Sequence, residues 1–563
     1  MNNIYEKLLI EYCDALMSLQ DKSDDAAFRG GIKCRACKMI HGRCPDAIYG
    51  FTVAYKITGN VKYLDAAKLL FDYADNMLCT DGSLYNDAQA NWRFTSNFFL
   101  TSLIETLNSG KDLYGKEYSD KMENRAKAVA EWLYLNLNEN SRANINYATS
   151  NGLALALTGT YFNEKKYLER AKKLIYYALA HVTENGLLYG ESLPHDFVSD
   201  KKARSVDIGY NVEETIPALV KYAFFTDDNK VRELARKIVR AHLFFMLPDG
   251  AWDNSFGVRN NKWTYWGSRT SDGCAPMFLL FAETEPEFVE AALRNTELLK
   301  KCSKDGFLFG GRDYILHNEH ACTHHTFEHI NSLAYCIEHV DGKFLAPKRV
   351  SIPSDRKDVF SYYSETLTYK LAKGNYLATV TDNDFNVFFS WHATGGTITA
   401  LYGRNVGPMI MASVTDYILV EPTNMQQSLD VNSHRSLTPR FIKEIDGIAY
   451  HSSYYRFAKM NGKKSENECI ITVKTGLCSK TEKKLEDFEP TIIYSLSEKG
   501  LKISAENADG LKYVLPLIAG KCKVKKGSTE KSEKIFFLTG GFIATEYIIV
   551  PEKDGRFEIM ISE

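Results

Sequence analysis

Long apolar runs are missing from this chain. Nowhere in its 563 residues do apolar side chains continue for the roughly 18 positions that a membrane-spanning helix needs. The opening residues, MNNIYEKLLIEYCDAL, read as an amphipathic helix interrupted by charge. They lack the basic stretch and following apolar core of a secretory signal, so the expected location is the cytoplasm, although a chain trimmed of its leader would read the same. An excess of one charge is missing too: 69 Lys and Arg stand against 71 Asp and Glu, a net charge of −2. Without a polybasic field, neither nucleic acid nor an anionic membrane is expected as the main partner. A disulfide framework is also absent, because twelve scattered cysteines without a secretion signal read as reduced thiols.

What is present is globular. Apolar residues make up 45% and charged residues 25%, with a mean hydropathy of −0.29, which excludes disorder. The 33 tyrosines and 31 phenylalanines suit a carbohydrate-binding surface and a large core alike. The length exceeds what one core supports, so two large domains are expected.

A phrase recurs in the first 340 residues: Asp81-Gly-Ser-Leu-Tyr-Asn86, Asn185-Gly-Leu-Leu-Tyr-Gly190, Asp249-Gly-Ala-Trp-Asp-Asn254 and Asp305-Gly-Phe-Leu-Phe-Gly310. The spacing fits a unit of about 55 residues, one copy of which has lost the phrase. Asp-Gly and Asn-Gly are turn chemistry. Each phrase follows an amphipathic stretch and precedes a more uniformly apolar one. Outer helices are expected at 3–19, 61–78, 111–137, 164–182, 228–247 and 285–302. Inner helices are expected at 43–58, 92–108, 147–162, 210–225, 269–283 and 323–339, together a closed (α/α)6 toroid over 1–342. After a linker, 343–358, short β-branched and aromatic runs such as Tyr376-Leu-Ala-Thr-Val-Thr and Phe542-Ile-Ala-Thr-Glu-Tyr predict an antiparallel β-sandwich over 359–563.

In a toroid the first turns of the inner helices meet around one mouth, where their free N–H groups favour an anionic ligand. The residues expected there are unusually polar. They are His41 and Arg43; Asn91 and Arg93; Asn151; Tyr210, Asn211, Glu213 and Glu214; Trp266, Arg269 and Asp272; and His324 and His325. Trp252 and Asp253 join them from the third phrase, and His392 from the sandwich. Carboxylates for acid and base work, aromatic faces for pyranose rings and Arg for an acidic group are what sugar cleavage requires. The catalytic candidates are Glu213, Glu214, Asp253, Asp272 and His325, the others binding substrate. Adjacent glutamates point in different directions on a helix, so the partner of one of them should come from another helix. Helix capping, salt bridges and core packing remain the ordinary alternatives at each position.

Two strings suggest metal. His325-Thr-Phe-Glu-His329 spells H-x-x-E-H, the inverzincin zinc motif, but the helical domain ends here without a downstream carboxylate ligand. Cys34, Cys37, His41 and Cys44 resemble a zinc knuckle with shorter spacings than usual. A thiol-lined loop is preferred there, and no cofactor is expected.

The strings CRACKMIHGRCPDAIYG (34–50), DGSLYNDAQANWR (81–93), HACTHHTFEHINSLA (320–334), SWHATGGTITALYGRNVGPMIMAS (390–413) and EPTNMQ (421–426) resemble glycoside hydrolase family 154. That family lies within the heparinase II/III-like superfamily and includes β-glucuronidases of gut bacteria. The resemblance implies an exo-β-glucuronidase acting on uronate-containing oligosaccharides or polysaccharides. Its heparinase branch implies instead a lyase working by β-elimination, with Asn151, Tyr210 and His325 able to act as neutraliser, base and acid. The carboxylates of the fourth and fifth inner helices tilt the expectation to hydrolysis. An unsaturated uronyl hydrolase and a non-catalytic glycan-binding protein are the remaining readings, and the sequence is compatible with a homo-oligomer.

Overall fold

A computed structural model describes residues 3–563 except 87–91, 142, 192–196, 261–264, 267–272, 318–319, 347, 385–393, 413–436, 482, 527 and 537–541. Twelve main helices are found among the described residues: α1 Ile4–Leu19, α2 Ile48–Thr58, α3 Lys62–Tyr73, α4 Ser96–Gly110, α5 Gly115–Asn136, α6 Ile145–Phe162, α7 Lys165–Leu179, α8, α9 Asn229–Leu243, α10 Ala275–Leu279, α11 Pro286–Lys301 and α12 Thr323–His339. Helix α8 is built from Ile208–Tyr210, a π-helical turn Asn211–Thr215 and Ile216–Phe225. The even-numbered helices pack in a ring, each against the next, and α12 returns to α2 and to α1. None of the described helices is long and apolar enough to cross a membrane.

Outer helices follow the amphipathic rule. In α9, Asp228 caps the start by accepting the Val231 N–H at 3.1 Å, and Val231, Ala235, Ile238 and Val239 bury one face. The inner helices are buried on nearly all sides, as in α6, where Ser150, Asn151, Gly152 and Leu153 are all enclosed. The fifth inner helix, α10, is shorter than expected, and the start expected for it at 269–272 lies outside the described residues.

The recurring phrase makes a tight hairpin between outer and inner helix. Gly82, Gly186, Gly250 and Gly306 all have positive φ, a conformation that favours glycine. At Gly250 a Cβ would also lie 2.4 Å from the Arg294 backbone carbon on the next outer helix. The turn thus locks each repeat to its neighbour.

Three antiparallel sheets follow. The first is a five-stranded meander of Asp358–Tyr363, Thr368–Lys373, Tyr376–Thr381, Thr397–Gly403 and Gly407–Met411. It is wedged between toroid and sandwich. Ala372, Ala400 and Tyr402 join the helical core, while the alternate residues Leu371, Leu401 and Val380 join the core of the other sheets. Both faces being covered, its central strands are buried at every position. Sheets of seven and six strands close that second core around Ile471, Tyr494, Ile503 and Leu515.

Polar ties join the two regions. Glu365 accepts Thr183 Oγ1 and Asn185 Nδ2, each at 2.7 Å. Lys370 Nζ reaches Asp253 Oδ2 at 2.7 Å, and Arg294 holds Asp355 with two bonds of 2.9 and 2.8 Å.

Candidate active site

Side chains from the first turns of α6, α8 and α12, and from the turn before α2, converge at one end of the ring. The π-turn of α8 has a local cause. Pro217 lacks an N–H, and in a regular helix its ring would clash with the carbonyl of Glu213, four residues back. The widened turn relieves that conflict, and such turns are frequent at functional sites. It also sends the adjacent glutamates to different walls. Glu213 Oε2 lies 3.8 Å from His329 Nε2 on α12, whereas Glu214 accepts a hydrogen bond from the Asn146 side-chain amide on α6.

On the α6 wall, the Asn146 N–H donates to Glu191 Oε1 at 3.2 Å. Arg259 Nη1 approaches Glu191 Oε2 at 3.9 Å, and the guanidinium lies 4.1 Å from the centre of the Tyr210 ring. Asp207 organises this corner. Its Oδ1 accepts the Tyr210 N–H at 3.0 Å as the cap of α8, and its Oδ2 accepts the Arg259 N–H at 2.9 Å and Asn254 Nδ2 at 3.1 Å. Gly257 permits this packing, since a Cβ there would stand 2.1 Å from Asn254 Oδ1. Burial pushes the Glu191 carboxyl up to about 8; the nearby Asp207 and Glu214 add to the rise, and Arg259 only partly opposes it. Glu191 therefore carries a proton at neutral pH. The Tyr147 phenol is pushed up by burial and by Glu214.

At the edge of this wall, Trp92 is 45% exposed and donates its Nε1–H to Tyr147 Oη at 2.7 Å. It meets Phe94 edge-on at 5.0 Å. This aromatic rim suits the flat face of a sugar ring.

On the α12 wall, Arg43 bonds Asp46 Oδ2 at 2.9 Å and Glu328 Oε1 at 3.0 Å, its guanidinium 4.3 Å over the Phe98 ring. Glu328 is thus an ion-pair partner, unlike the free base of an H-x-x-E-H peptidase. His325 is fully buried on the same turn, and its carbonyl oxygen lies 2.8 Å from His329 Nδ1. His324 is buried beside Arg43 and His41, and burial and those charges hold its imidazole well below the usual range.

Several expected site residues are placed elsewhere. Asn151 turns outward to the Leu137 carbonyl at 3.4 Å, and Asn146 occupies the mouth in its stead. Asn211 spends its amide on the Leu188 carbonyl at 2.8 Å and His242 Nε2 at 3.0 Å. Trp252 is wholly buried and stacks on Phe278 at 6.1 Å, so it is a core residue with no face for a sugar. Asp253 is an inter-domain tie. Ser255 occupies its Oδ1, and Lys370 and Thr379 occupy its Oδ2. Burial alone would raise its carboxyl, but Lys370 and these hydrogen bonds hold it below the ordinary value. Arg93 pairs with Asp81 of the first turn phrase at 2.6 Å. His41 Nε2 points to the Cys322 thiol at 3.4 Å, among cysteines. Cys44, assigned to the same group from its spacing, is a core residue whose thiol burial pushes up to about 12. Asn91, Arg269, Asp272 and His392 lie outside the described residues, as does the Trp266 side chain, though its backbone pairs with Trp252.

Asn146, Glu191, Asp207 and Arg259 are the polar residues here that the sequence reading passed over. Two signals were available: Glu191 directly follows the second turn phrase, and Asp207 precedes α8 as a cap should.

The family described as Ulvan lyase N-terminal domain matches residues 9–355, and that described as Ulvan lyase C-terminal domain matches 360–536. A broad-specificity ulvan lyase of Formosa agariphila is 32% identical over 529 residues, 92% of this chain and 82% of that one. Among solved structures, the chondroitin AC lyase of Streptomyces coelicolor A3 superposes with a TM-score of 0.54 at 9% identity, covering 99% of this chain and 79% of the other. That likeness shows the fold: a helical toroid followed by antiparallel sheets. A heparan sulfate lyase of Pedobacter heparinus gives a TM-score of 0.45 at 11% identity over 92% of this chain and 75% of that one. The expected membership of glycoside hydrolase family 154 and the exo-β-glucuronidase reading are overturned by the family matches and the curated relative. Along most of its length this enzyme belongs to the ulvan lyase family.

Proposed function

We propose that this chain is a polysaccharide lyase that cleaves a uronate-containing polysaccharide of the ulvan class by β-elimination. A base removes the proton at C5 of the uronate, the C4–O bond breaks, a C4–C5 double bond forms, and the departing oxygen takes a proton. The reaction asks for a cation or amide at the uronate carboxylate and for a proton-transfer pair beside it.

The observation that carries the reading is the Arg259 guanidinium 4.1 Å over the Tyr210 ring, next to Asn146 and at the mouth of the ring. Tyr210, held at the mouth with Arg259 on its ring face, is the group assigned as base and, after the proton moves, as donor to the leaving oxygen. Asn146 and Arg259 are the groups for the carboxylate. His325 on the opposite wall is the second proton carrier to test. The described carboxylates that suggested hydrolysis are engaged otherwise: Glu214 with Asn146, Glu213 with His329, and Asp253 with Lys370 and Thr379. Trp92 offers a stacking face for a neighbouring sugar.

The test is incubation with ulvan while the ultraviolet absorbance of the new double bond is followed, beside 4-nitrophenyl β-glucuronide. Growth of that absorbance, lost in Tyr210→Phe, supports the reading. Sugar release without the double bond would sink it.

A further inference from the structure

The cysteines of the first turn and of the sixth inner helix meet behind the α12 wall. Lys33–Cys34 pairs antiparallel with Met39–Ile40, placing Cys34 opposite Met39. The connecting turn brings the Cys37 N–H to Cys34 Sγ at 3.3 Å, and Lys38 closes it with φ of 55°. This is a Cys-x2-Cys turn wrapped around its own thiols. Into it comes Cys322, the cap residue of α12. Its Sγ lies 3.5 Å from Cys37 Sγ and 3.4 Å from His41 Nε2. The four ligand atoms of Cys34, Cys37, His41 and Cys322 all lie within 4.8 Å of one another.

Those separations match a tetrahedral ion. Bond lengths of about 2.3 Å to sulfur and about 2.0–2.1 Å to nitrogen imply about 3.8 Å between sulfurs and about 3.6 Å from sulfur to nitrogen. A disulfide would need about 2.0 Å, and none of these cysteines is disulfide-bonded. Three sulfurs and one imidazole select zinc over hard cations such as magnesium or calcium. Four protein ligands leave no open position, which marks a structural centre. Cys34, His41 and Cys322 are all buried, so the cluster is shielded from solvent.

We propose that Cys34, Cys37, His41 and Cys322 form a closed zinc site that pins the start of α12 to the Lys33–Ile40 hairpin. The thiol protons go to solvent as the metal binds. The site acts through position. Cys322 stands two residues before His324, whose ring meets His41 edge-on at 5.6 Å, and His41 stands two residues before Arg43. Zinc therefore fixes the wall that carries His324 and His325. This holds whatever reaction the mouth performs.

The test is metal analysis of the purified full-length chain, expected to show about one zinc per chain. Cys37→Ser and Cys322→Ser should each drop it below a tenth and lower Tm, whereas Cys79→Ser, away from the cluster, should keep it. Should the variants fail to fold, replacing zinc by Co2+ in the unaltered protein should give the intense visible bands of tetrahedral thiolate coordination. A reduced protein that neither carries nor takes up zinc overturns the proposal. So does a Cys37–Cys322 disulfide in the freshly purified protein, or zinc retained by a folded double variant.

Discussion

Arg259 lies with its guanidinium 4.1 Å from the centre of the Tyr210 ring, and both residues are aligned by one carboxylate, Asp207. If Tyr210 is the base, Tyr210→Phe lowers kcat on ulvan by about 10²–10⁴-fold, the usual share of a positioned proton-transfer group. Arg259→Gln removes the cation assigned to the uronate carboxylate, so kcat/KM should fall by about 10–100-fold, mostly through KM. Initial rates of double-bond formation across a range of ulvan concentrations check both. An unchanged KM in Arg259→Gln would show that the guanidinium does not meet the carboxylate.

Gly257→Ala touches no proposed reacting group. The new Cβ would nevertheless stand 2.1 Å from Asn254 Oδ1 and 2.9 Å from Asp207 Oδ2. Relief of those clashes must move Asp207, and Tyr210 and Arg259 with it. Displacements near 1 Å cost about 10²-fold in rate. The expected result is a kcat loss of that order and a raised KM, since Arg259 moves too, with an unchanged circular-dichroism spectrum. Full activity would mean that the loop yields without moving Asp207.

The scaffold was legible because it is periodic. The turn phrase showed through its glycines, and the helices through one-sided burial in the outer layer and all-round burial in the inner one. The wedged sheet was read only as strands, because its faces on two cores leave central strands such as Tyr376–Thr381 with no polar alternation to betray what lies on each side. At the mouth, Tyr210 and Glu214 were accessible as first-turn residues. Asn146 was missed in favour of Asn151, because a helix phase read without its neighbours does not tell which amide faces the axis. Glu191 and Arg259 sit in loops, where no period guides the eye. Cys322 lies 285 residues from Cys37, so the spacing rule chose Cys44, a near neighbour that folding sends into the core. The reaction class was the least legible part, since one toroid-and-sheet scaffold serves unrelated chemistries.

The Glu191 carboxyl, at about 8 in the folded chain against an ordinary 4.5, ties stability to pH. Between those values the folded state holds a proton that the unfolded state has lost. The contribution is complete below about pH 4.5 and is lost as pH rises through about 8, with a slope of at most about 1.4 kcal/mol per pH unit. Glu191→Gln keeps a neutral side chain at every pH. Urea melts at several pH values should show a flatter decline for the variant across that window. Parallel declines would mean that Glu191 is already ionised in the fold.

The Lys370–Asp253 pair gives the sharpest test of how the two regions hold together. Both side chains are nearly inaccessible, and the 2.7 Å bond crosses from the five-stranded sheet to the toroid. A buried pair repays its desolvation poorly, yet removing one partner strands the other charge without water. Asp253→Asn should therefore cost about 3–5 kcal/mol. Asp253→Asn with Lys370→Met removes both charges and should recover most of that loss. The recovery distinguishes this role from the catalytic one first read from the sequence. A reacting carboxylate would leave the double variant inactive on ulvan, whereas a structural tie returns activity together with stability. Thermal melts and the double-bond assay on the two single variants and the double variant complete the cycle. A double variant as unstable as Asp253→Asn would show that Ser255 and Thr379, rather than Lys370, make the carboxylate indispensable.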